Sequence, residues 1–505
     1  MALMTRKRAV RLCSTPCVTD ASGISSFFFA LYLRLFPVTI PVRPVRSLFK
    51  ECRNRLGPVV APVALCEQIL LQSERVLQRQ LQPLLDRLTH QSYSIRRFIC
   101  DHRCEDVYKR QIYDCIIIGA GASGLFCSAS MDRPVRGLIL EKTKHPGTKL
   151  LMSGSGQCNI THAGSIKDFI DCYGRHGGRI RKCLYRYSNT SLTVFMESGG
   201  VPAVTREDGK VFPASMDARD VLDMLLRRSR DCGFTIEYDS PAEKIEKNAH
   251  GWTVLSSEQR FDTKTLVIAT GGCSYPRTGS DGSIFRILKR DLELKCTELK
   301  PALSSVQVKD YPYGELSGIS FENTEVSIWK DGRKEASNSG GLLFTHGDLS
   351  GPAVLNISKY ASPGGMIQIS YLHPLDRDTV LSRLKKAAHQ NSAKLSGIIA
   401  DEFGLPKRFC QLLTARYGES LKKLASQLTE ETFEISSVSD FRKAMCTSGG
   451  VDLSCIDLST MQAKKLPGIY VIGEALDIDG ITGGYNLQFA YSSACAAADD
   501  IARTV

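Results

Sequence analysis

Residues 112–124 constrain this chain more than any other segment. Ile112-Tyr-Asp-Cys-Ile-Ile-Ile118 is a short apolar run, the pattern of a strand buried on both faces of a parallel sheet. It leads directly into Gly119-Ala-Gly121-Ala-Ser-Gly124, and Leu125–Met131 then suits a helix. In such a strand–turn–helix the first glycine permits the tight turn and the second admits a pyrophosphate. The third lets helix and strand pack closely. Phosphates would sit on the free N–H groups and positive dipole end of the helix, so Gly119, Gly121, Ala122, Ser123 and Gly124 are candidate cofactor contacts.

Three glycines alone are a weak signal, and the context strengthens it. Leu138-Ile-Leu140 reads as a second strand ending on Glu141, 22 residues after Gly119. A carboxylate there can take both ribose hydroxyls and would repel a 2′-phosphate, so the nucleotide is FAD or NAD rather than NADP. The residues after the second strand separate these two. Lys142-Thr-Lys144 precedes a small, polar, glycine-rich stretch, Lys149-Leu-Leu-Met-Ser-Gly-Ser-Gly-Gln-Cys-Asn159, where an NAD dehydrogenase would continue with an ordinary helix. Two later apolar runs also end in glycine-bearing loops: Thr265-Leu-Val-Ile-Ala-Thr-Gly-Gly272 and Gly468-Ile-Tyr-Val-Ile-Gly-Glu474. Three such strand ends at the carboxyl edge of one sheet suit a long cofactor lying across that edge. FAD is the expected cofactor. Lys142, Lys149, Ser153, Gly154, Asn159, Thr270, Gly271, Gly473 and Glu474 join the candidate contacts, Glu474 through its backbone N–H more than its carboxylate.

Together these segments resemble the BaiN-type NAD(P)/FAD-dependent oxidoreductases, from Ile112 to about Ala502. The most specific block contains Thr447-Ser-Gly-Gly-Val-Asp452, Gly473-Glu-Ala-Leu-Asp477 and Asp479-Gly-Ile-Thr-Gly-Gly-Tyr-Asn-Leu-Gln488. In one block the chain departs from the family's usual form, which resembles Ser-Gly-Gly-Gly-Arg-Cys-Asn. Here Gln157 stands at the arginine's place, in Ser153-Gly-Ser-Gly-Gln-Cys-Asn159. That removes a fixed cation able to steer an anionic substrate or neutralise reduced flavin. The resemblance implies an α/β fold: a Rossmann-like FAD-binding domain of the glutathione-reductase two-dinucleotide type with an insertion. The insertion agrees with the local patterns, alternating and turn-rich over 303–372, then helical in spacing over 373–443. The expected organisation is therefore 112–302 and 444–505 as the FAD-binding domain, with 303–372 and 373–443 inserted as a β-rich unit and a helical subdomain.

Gly483-Gly-Tyr-Asn-Leu487 leads into an alanine-rich helix expected over Phe489–Ala502. A helix N-terminus aimed at the flavin would stabilise negative charge on its reduced form by about 0.3–1 kcal/mol, rising toward about 2 when partly buried. Gly483, Gly484, Tyr485, Asn486 and Leu487 are accordingly candidate flavin contacts. Asp477 and Asp479 are read either as holding the ribityl hydroxyls or as a loop brace. Tyr275, Tyr485 and His346 are candidates for the substrate side. His346 is the best placed for acid–base work near neutral pH, and Tyr485 is the second catalytic candidate. Cys158 and Cys273 lack a resolving cysteine nearby and read as packing residues. No metal site is expected, because no Cys-x-x-Cys pair occurs among 18 cysteines. No second Gly-x-Gly-x-x-Gly occurs after Gly124, so the expectation is that NAD(P)H binds transiently near the flavin or that another electron donor takes its place.

The formal charge of +12 is concentrated at one end. Residues 1–111 hold 18 basic and 8 acidic residues, whereas the remaining 394 hold 47 and 45. The first part is read as an Arg-rich extension, poorly ordered or non-native, because Cys104-Glu-Asp-Val-Tyr-Lys-Arg-Gln111 resembles spurious junction peptides of translated metagenomic assemblies. The near-neutral body argues for a small-molecule substrate and against nucleic acid. Many unpaired thiols fit a reducing cytoplasm. No apolar stretch is long enough to span a membrane. The expected activity is hydride transfer between NAD(P)H and a small organic substrate through flavin. The alternatives are a flavin-dependent amine oxidase or dehydrogenase and a flavin-containing RNA-modifying protein.

Overall fold

The computed structural model describes residues 112–257, 259–391 and 393–504. The extension 1–111, and every expectation about it, falls outside the described residues. Strand β1 (Ile112–Ile118) leads through the glycine turn into helix α1 (Ala122–Ala129) and on to β2 (Gly137–Leu140). Helix α2 (Ala218–Asp231), β3 (Phe234–Glu237), a hairpin of β4 (Lys244–Asn248) and β5 (Gly251–Ser256), and the long β6 (Gln259–Ile268) come next. The parallel order is β3-β2-β1-β6, with the β4–β5 hairpin running antiparallel along β6. Cys115, Ile116 and Ile117 are fully buried, as a strand covered on both faces requires.

The chain then leaves this sheet and builds a second core. Strands β7 (Val306–Val308), β8 (Ser320–Lys330), β9 (Arg333–Phe344), β10 (Leu349–Ser350), β11 (Met366–Ser370) and β12 (Glu431–Val438) close into a barrel. Between β11 and β12 stand four helices, α3 (Arg377–Gln390), α4 (Leu395–Phe403), α5 (Lys407–Tyr417) and α6 (Leu421–Glu430). The helices expected over 373–443 thus end at 430, and Glu431–Val438 is the strand that seals the barrel between β11 and β7. The β-rich and helical stretches therefore share one core and are not two successive units. A strand whose partners lie about 65 and 130 residues back leaves no local periodicity to mark it.

Glu431 sits fully buried at the start of β12. Its Oε2 accepts from Tyr313 and, at 2.6 Å, from Tyr371; its Oε1 accepts from Tyr417 at 2.8 Å. Burial pushes this carboxyl above the usual range, and the three hydroxyl donors oppose the rise.

After the barrel the chain returns to the first sheet. β13 (Ile456–Asp457) and β14 (Gln462–Ala463) lead antiparallel into β15 (Ile469–Val471), which joins β6 in parallel. Helix α7 spans Tyr485–Thr504, beginning one turn earlier than the alanine pattern suggests, and packs on α1. Ile118, Ile268 and Val471 lie in register, so the three glycine-bearing loops emerge side by side.

Candidate functional site

Those loops open onto a cleft of about 830 Å³. The motif glycines each meet a different neighbour. Gly119 has φ +104°, and a Cβ there would lie 2.7 Å from the Ala269 carbonyl oxygen. A Cβ on Gly124 would lie 2.0 Å from the Gly119 carbonyl oxygen, which fixes helix against strand. A Cβ on Gly121 meets nothing within 4 Å and would point into open space. Gly121 is also the N-cap of α1 and offers no side-chain cap, so the first-turn N–H groups remain for a ligand.

Glu141, at the end of β2, is 7% exposed. Its Oε2 accepts from the Ala120 N–H at 2.9 Å; its Oε1 accepts from the Thr143 N–H and hydroxyl, both at 2.8 Å. Those bonds hold the carboxylate beside the turn, with lone pairs left for hydroxyl donors. Lys142 reaches across this end of the cleft to Asp281 at 2.5 Å and donates to Ser283 at 3.1 Å.

A second cluster joins segments far apart in sequence. The Lys149 ammonium donates to Glu474 Oε2 at 2.6 Å and to Ser274 Oγ at 2.5 Å. Glu474 Oε1 accepts from Ser274 Oγ at 2.9 Å and from the Thr447 N–H at 2.8 Å. The Glu474 carboxylate, expected to matter less than its backbone, ties three cleft walls together. Glu474→Ala is expected to leave the Lys149 ammonium with Ser274 alone and no carboxylate, to leave the Thr447 N–H without an acceptor, and to weaken FAD binding about tenfold or more. Glu474→Gln should fall between. Fluorescence titration of apoprotein with FAD measures both.

Asn159, its amide oriented by its neighbours, donates to the Thr161 and Val211 carbonyls at 2.9 and 3.2 Å. It accepts from the Gly484 N–H at 3.1 Å, which fixes the loop before α7. A Cβ on Gly484 would lie 2.5 Å from the Thr161 carbonyl oxygen, so only glycine lets this loop pass so close. Thr270 Oγ1 and Ser280 Oγ line the cleft, buried and without partners among the described residues. Orphaned hydroxyls, an uncapped helix end and an acidic residue at the second strand fit a dinucleotide.

Most of the expected contacts line this cleft: Gly119, Gly121, Ala122, Ser123, Glu141, Lys142, Lys149, Ser153, Gly154, Asn159, Thr270, Gly271, Glu474, Gly483, Gly484, Asn486 and Leu487. Gly124, Gly473, Tyr485 and His346 do not. Gly124 and Gly473 act in packing; a Cβ on Gly473 would meet the Ser123 side chain at 2.7 Å. Tyr485 is 8% exposed, stacked on His162 and edge-on to Phe169, behind the cleft wall. His346 is exposed on the barrel's β9–β10 loop. Tyr275 does line the cleft, in a left-handed conformation at φ +54°. Asp477 and Asp479 brace loops, Asp477 facing His176 at 3.5 Å and Asp479 pairing with Lys359 at 2.6 Å. Burial pushes the Cys158 thiol up to about 12 and raises that of Cys273, which disfavours thiolate chemistry.

Other residues of the cleft left no signal in the sequence pattern. Leu303, Pro352 and Met445 approach from the barrel side, and Arg206, Lys210 and Phe212 from a hairpin of Ala203–Thr205 with Lys210–Pro213. An Arg-Glu-Asp-Gly-Lys turn is legible at 206–210, but nothing local says which way it faces.

The fold and the cleft define an FAD-dependent flavoprotein oxidoreductase with a Rossmann-type nucleotide-binding domain. The chain belongs to the HI0933-like protein Rossmann domain family, whose model matches residues 113–500. It is 33% identical to the ribosomal RNA dihydrouridine synthase of Escherichia coli (strain K12) over 411 residues, covering 77% of this chain and 98% of that one. A protein of the same description from Haemophilus influenzae is 29% identical with the same coverage. The 3-dehydro-bile acid delta(4,6)-reductase of Clostridium scindens is 27% identical over 401 residues, covering 75% of this chain and 96% of that one. Among the described residues no helix is long and apolar enough to cross a membrane.

Proposed function

We propose that this flavoprotein reduces the carbon–carbon double bond of uridine in ribosomal RNA, with NAD(P)H as reductant. The observation that carries the proposal is the 33% identity along 98% of the E. coli ribosomal RNA dihydrouridine synthase. The description of the bile-acid relative is chemically consistent. Both names denote addition of two hydrogens to a double bond conjugated with a carbonyl. Bound FAD would supply the two-electron carrier between nicotinamide and substrate. The chain's own part is to hold the cofactor along the sheet edge, keep the Gly483–Gly484 loop close to it, and present α7's N-terminus to developing negative charge.

The near-neutral body weighed against nucleic acid, but its charge is unevenly placed. The helical stretch 377–430 carries ten basic and five acidic residues, while residues 112–505 total only +2. A local excess of exposed cations, among them Lys385, Lys386, Lys422 and Lys423, suits a polyanion. The cysteines among the described residues carry free thiols, which supports a reducing cytoplasm as the site of action.

The full chain, loaded with FAD, is to be mixed anaerobically with NADH or NADPH and then with ribosomal RNA lacking dihydrouridine. Flavin bleaching by a nicotinamide, followed by a two-hydrogen mass gain on a uridine, is the expected result. Bleached flavin that a steroid dienone reoxidises and RNA does not would favour the bile-acid-like substrate class. Flavin that neither nicotinamide reduces would remove NAD(P)H from the proposal.

A further inference from the structure

The 203–213 hairpin places on the cleft wall a guanidinium that forms no ion pair with a carboxylate among the described residues, although Asp208 lies near enough to feel its charge. The Arg206 Nη2 donates to Gln157 Oε1 at 2.7 Å, a neutral acceptor. Its guanidinium carbon lies 4.1 Å from the centre of the Phe212 ring. Both partners line the cleft with it. Among the described residues no carboxylate pairs with Arg206; Asp208, two residues on, is taken by Lys210 at 2.5 Å. The hairpin is itself anchored. Ala203–Thr205 pairs with Lys210–Pro213, the Arg206 N–H donates to the Lys210 carbonyl at 2.9 Å, and Thr161–His162 pairs with Lys210–Val211. His162 in turn stacks on Tyr485 at the start of α7.

A planar cation held by a neutral amide and an aromatic face, with Nε and Nη1 left for a ligand, is preorganised for an oxyanion. Gln157 fixes one N–H of the guanidinium and, being neutral, adds no carboxylate beside it. The hairpin lies beside Asn159, and Asn159 holds Gly484, so Arg206 stands near the loop whose residues are read as flavin contacts.

We propose that Arg206 binds a phosphate of the nucleotide whose base enters the cleft, and that Gln157 and Phe212 position it. The inference rests on the uridine substrate proposed above and deepens it. It also shifts the cation missing at position 157 onto a separate segment of the chain.

The test uses the FAD-loaded full chain and two small probes, uridine and uridine 5′-monophosphate, with binding followed by perturbation of the flavin absorbance. The wild type is expected to favour the monophosphate by about tenfold. Arg206→Ala should abolish that preference at unchanged uridine affinity and flavin content, and Arg206→Lys should retain part of it. Gln157→Glu should abolish it too, because the new carboxylate neutralises Arg206 while leaving it in place. An unchanged preference in Arg206→Ala, or none in the wild type, overturns the inference. Hydrogen transfer to ribosomal RNA is scored separately. RNA reduced by a wild type that ignores the phosphate leaves the substrate proposal standing and removes Arg206 from it. An Arg206-dependent preference without RNA reduction leaves the phosphate site standing and removes the RNA.

Discussion

Gly124→Ala is expected to abolish stable FAD binding. The added Cβ would lie 2.0 Å from the Gly119 carbonyl oxygen and 3.2 Å from the Ile117 side chain. Neither helix nor strand can yield without opening the turn, because Gly119 is pinned by its N–H bond to the Leu140 carbonyl at 2.8 Å. Overpacking of this kind costs about 1–3 kcal/mol, and more where the obstacle is backbone. The upper end corresponds to about a hundredfold in affinity if all of it falls on the cofactor-binding turn. Gly121→Ala is the informative companion. Its Cβ meets nothing in the chain, so the apoprotein should keep its Tm while FAD affinity falls, since the methyl would occupy the space of the phosphates. Isothermal titration with FAD and thermal melts of both apoproteins decide the matter. Equal losses of Tm in the two variants would show that Gly121 serves folding and not the ligand.

Glu431→Ala should destabilise the barrel by about 3 kcal/mol. It strands the buried hydroxyls of Tyr313 and Tyr371, together with that of Tyr417, and leaves a cavity where the carboxylate stood. Glu431→Gln keeps the shape and removes the charge, so its effect should depend on pH. With the folded carboxyl raised above its usual value, the native state holds more protons than the unfolded chain between the two pKa values. Wild-type stability therefore falls as pH rises through that window, and the glutamine variant escapes the fall. Urea denaturation from pH 4 upward should show the difference moving in favour of Glu431→Gln as the pH rises. A pH-independent difference would mean that the carboxyl titrates alike in both states. FAD binding should survive Glu431→Gln, because the carboxylate belongs to the barrel core and not to the cleft.

Much of the cofactor side was legible in the chain because its chemistry is local. A fully apolar strand, three glycines at fixed spacing and an acidic residue ending the next strand are short-range patterns, and backbone geometry converts each into a position. The loops ending at Gly272 and Glu474 were equally readable, since parallel strands of one sheet must deliver their carboxyl ends to the same edge. The misplaced residues failed for a common reason. Tyr485 and His346 have the right chemistry in the right neighbourhood of sequence, but a side chain's direction depends on what packs against it. Tyr485 turns into the aromatic cluster of Phe169 and Tyr173, and His346 projects from the exposed β9–β10 loop of the barrel, outside the cleft lining.

Contiguous residues alone carry the nucleotide-binding strand–turn–helix and the preference for FAD, whereas the insertion is what the family resemblance implies and the local patterns over 303–443 agree with. Packing across the fold, by contrast, closes the barrel with β12 beyond four helices and joins Glu474 to Lys149, Ser274 and Thr447. It alone placed Arg206 against Gln157 and Phe212 in the cleft. Most of these contacts join segments from about 50 to more than 300 residues apart, set by loop closure and packing that no local periodicity encodes.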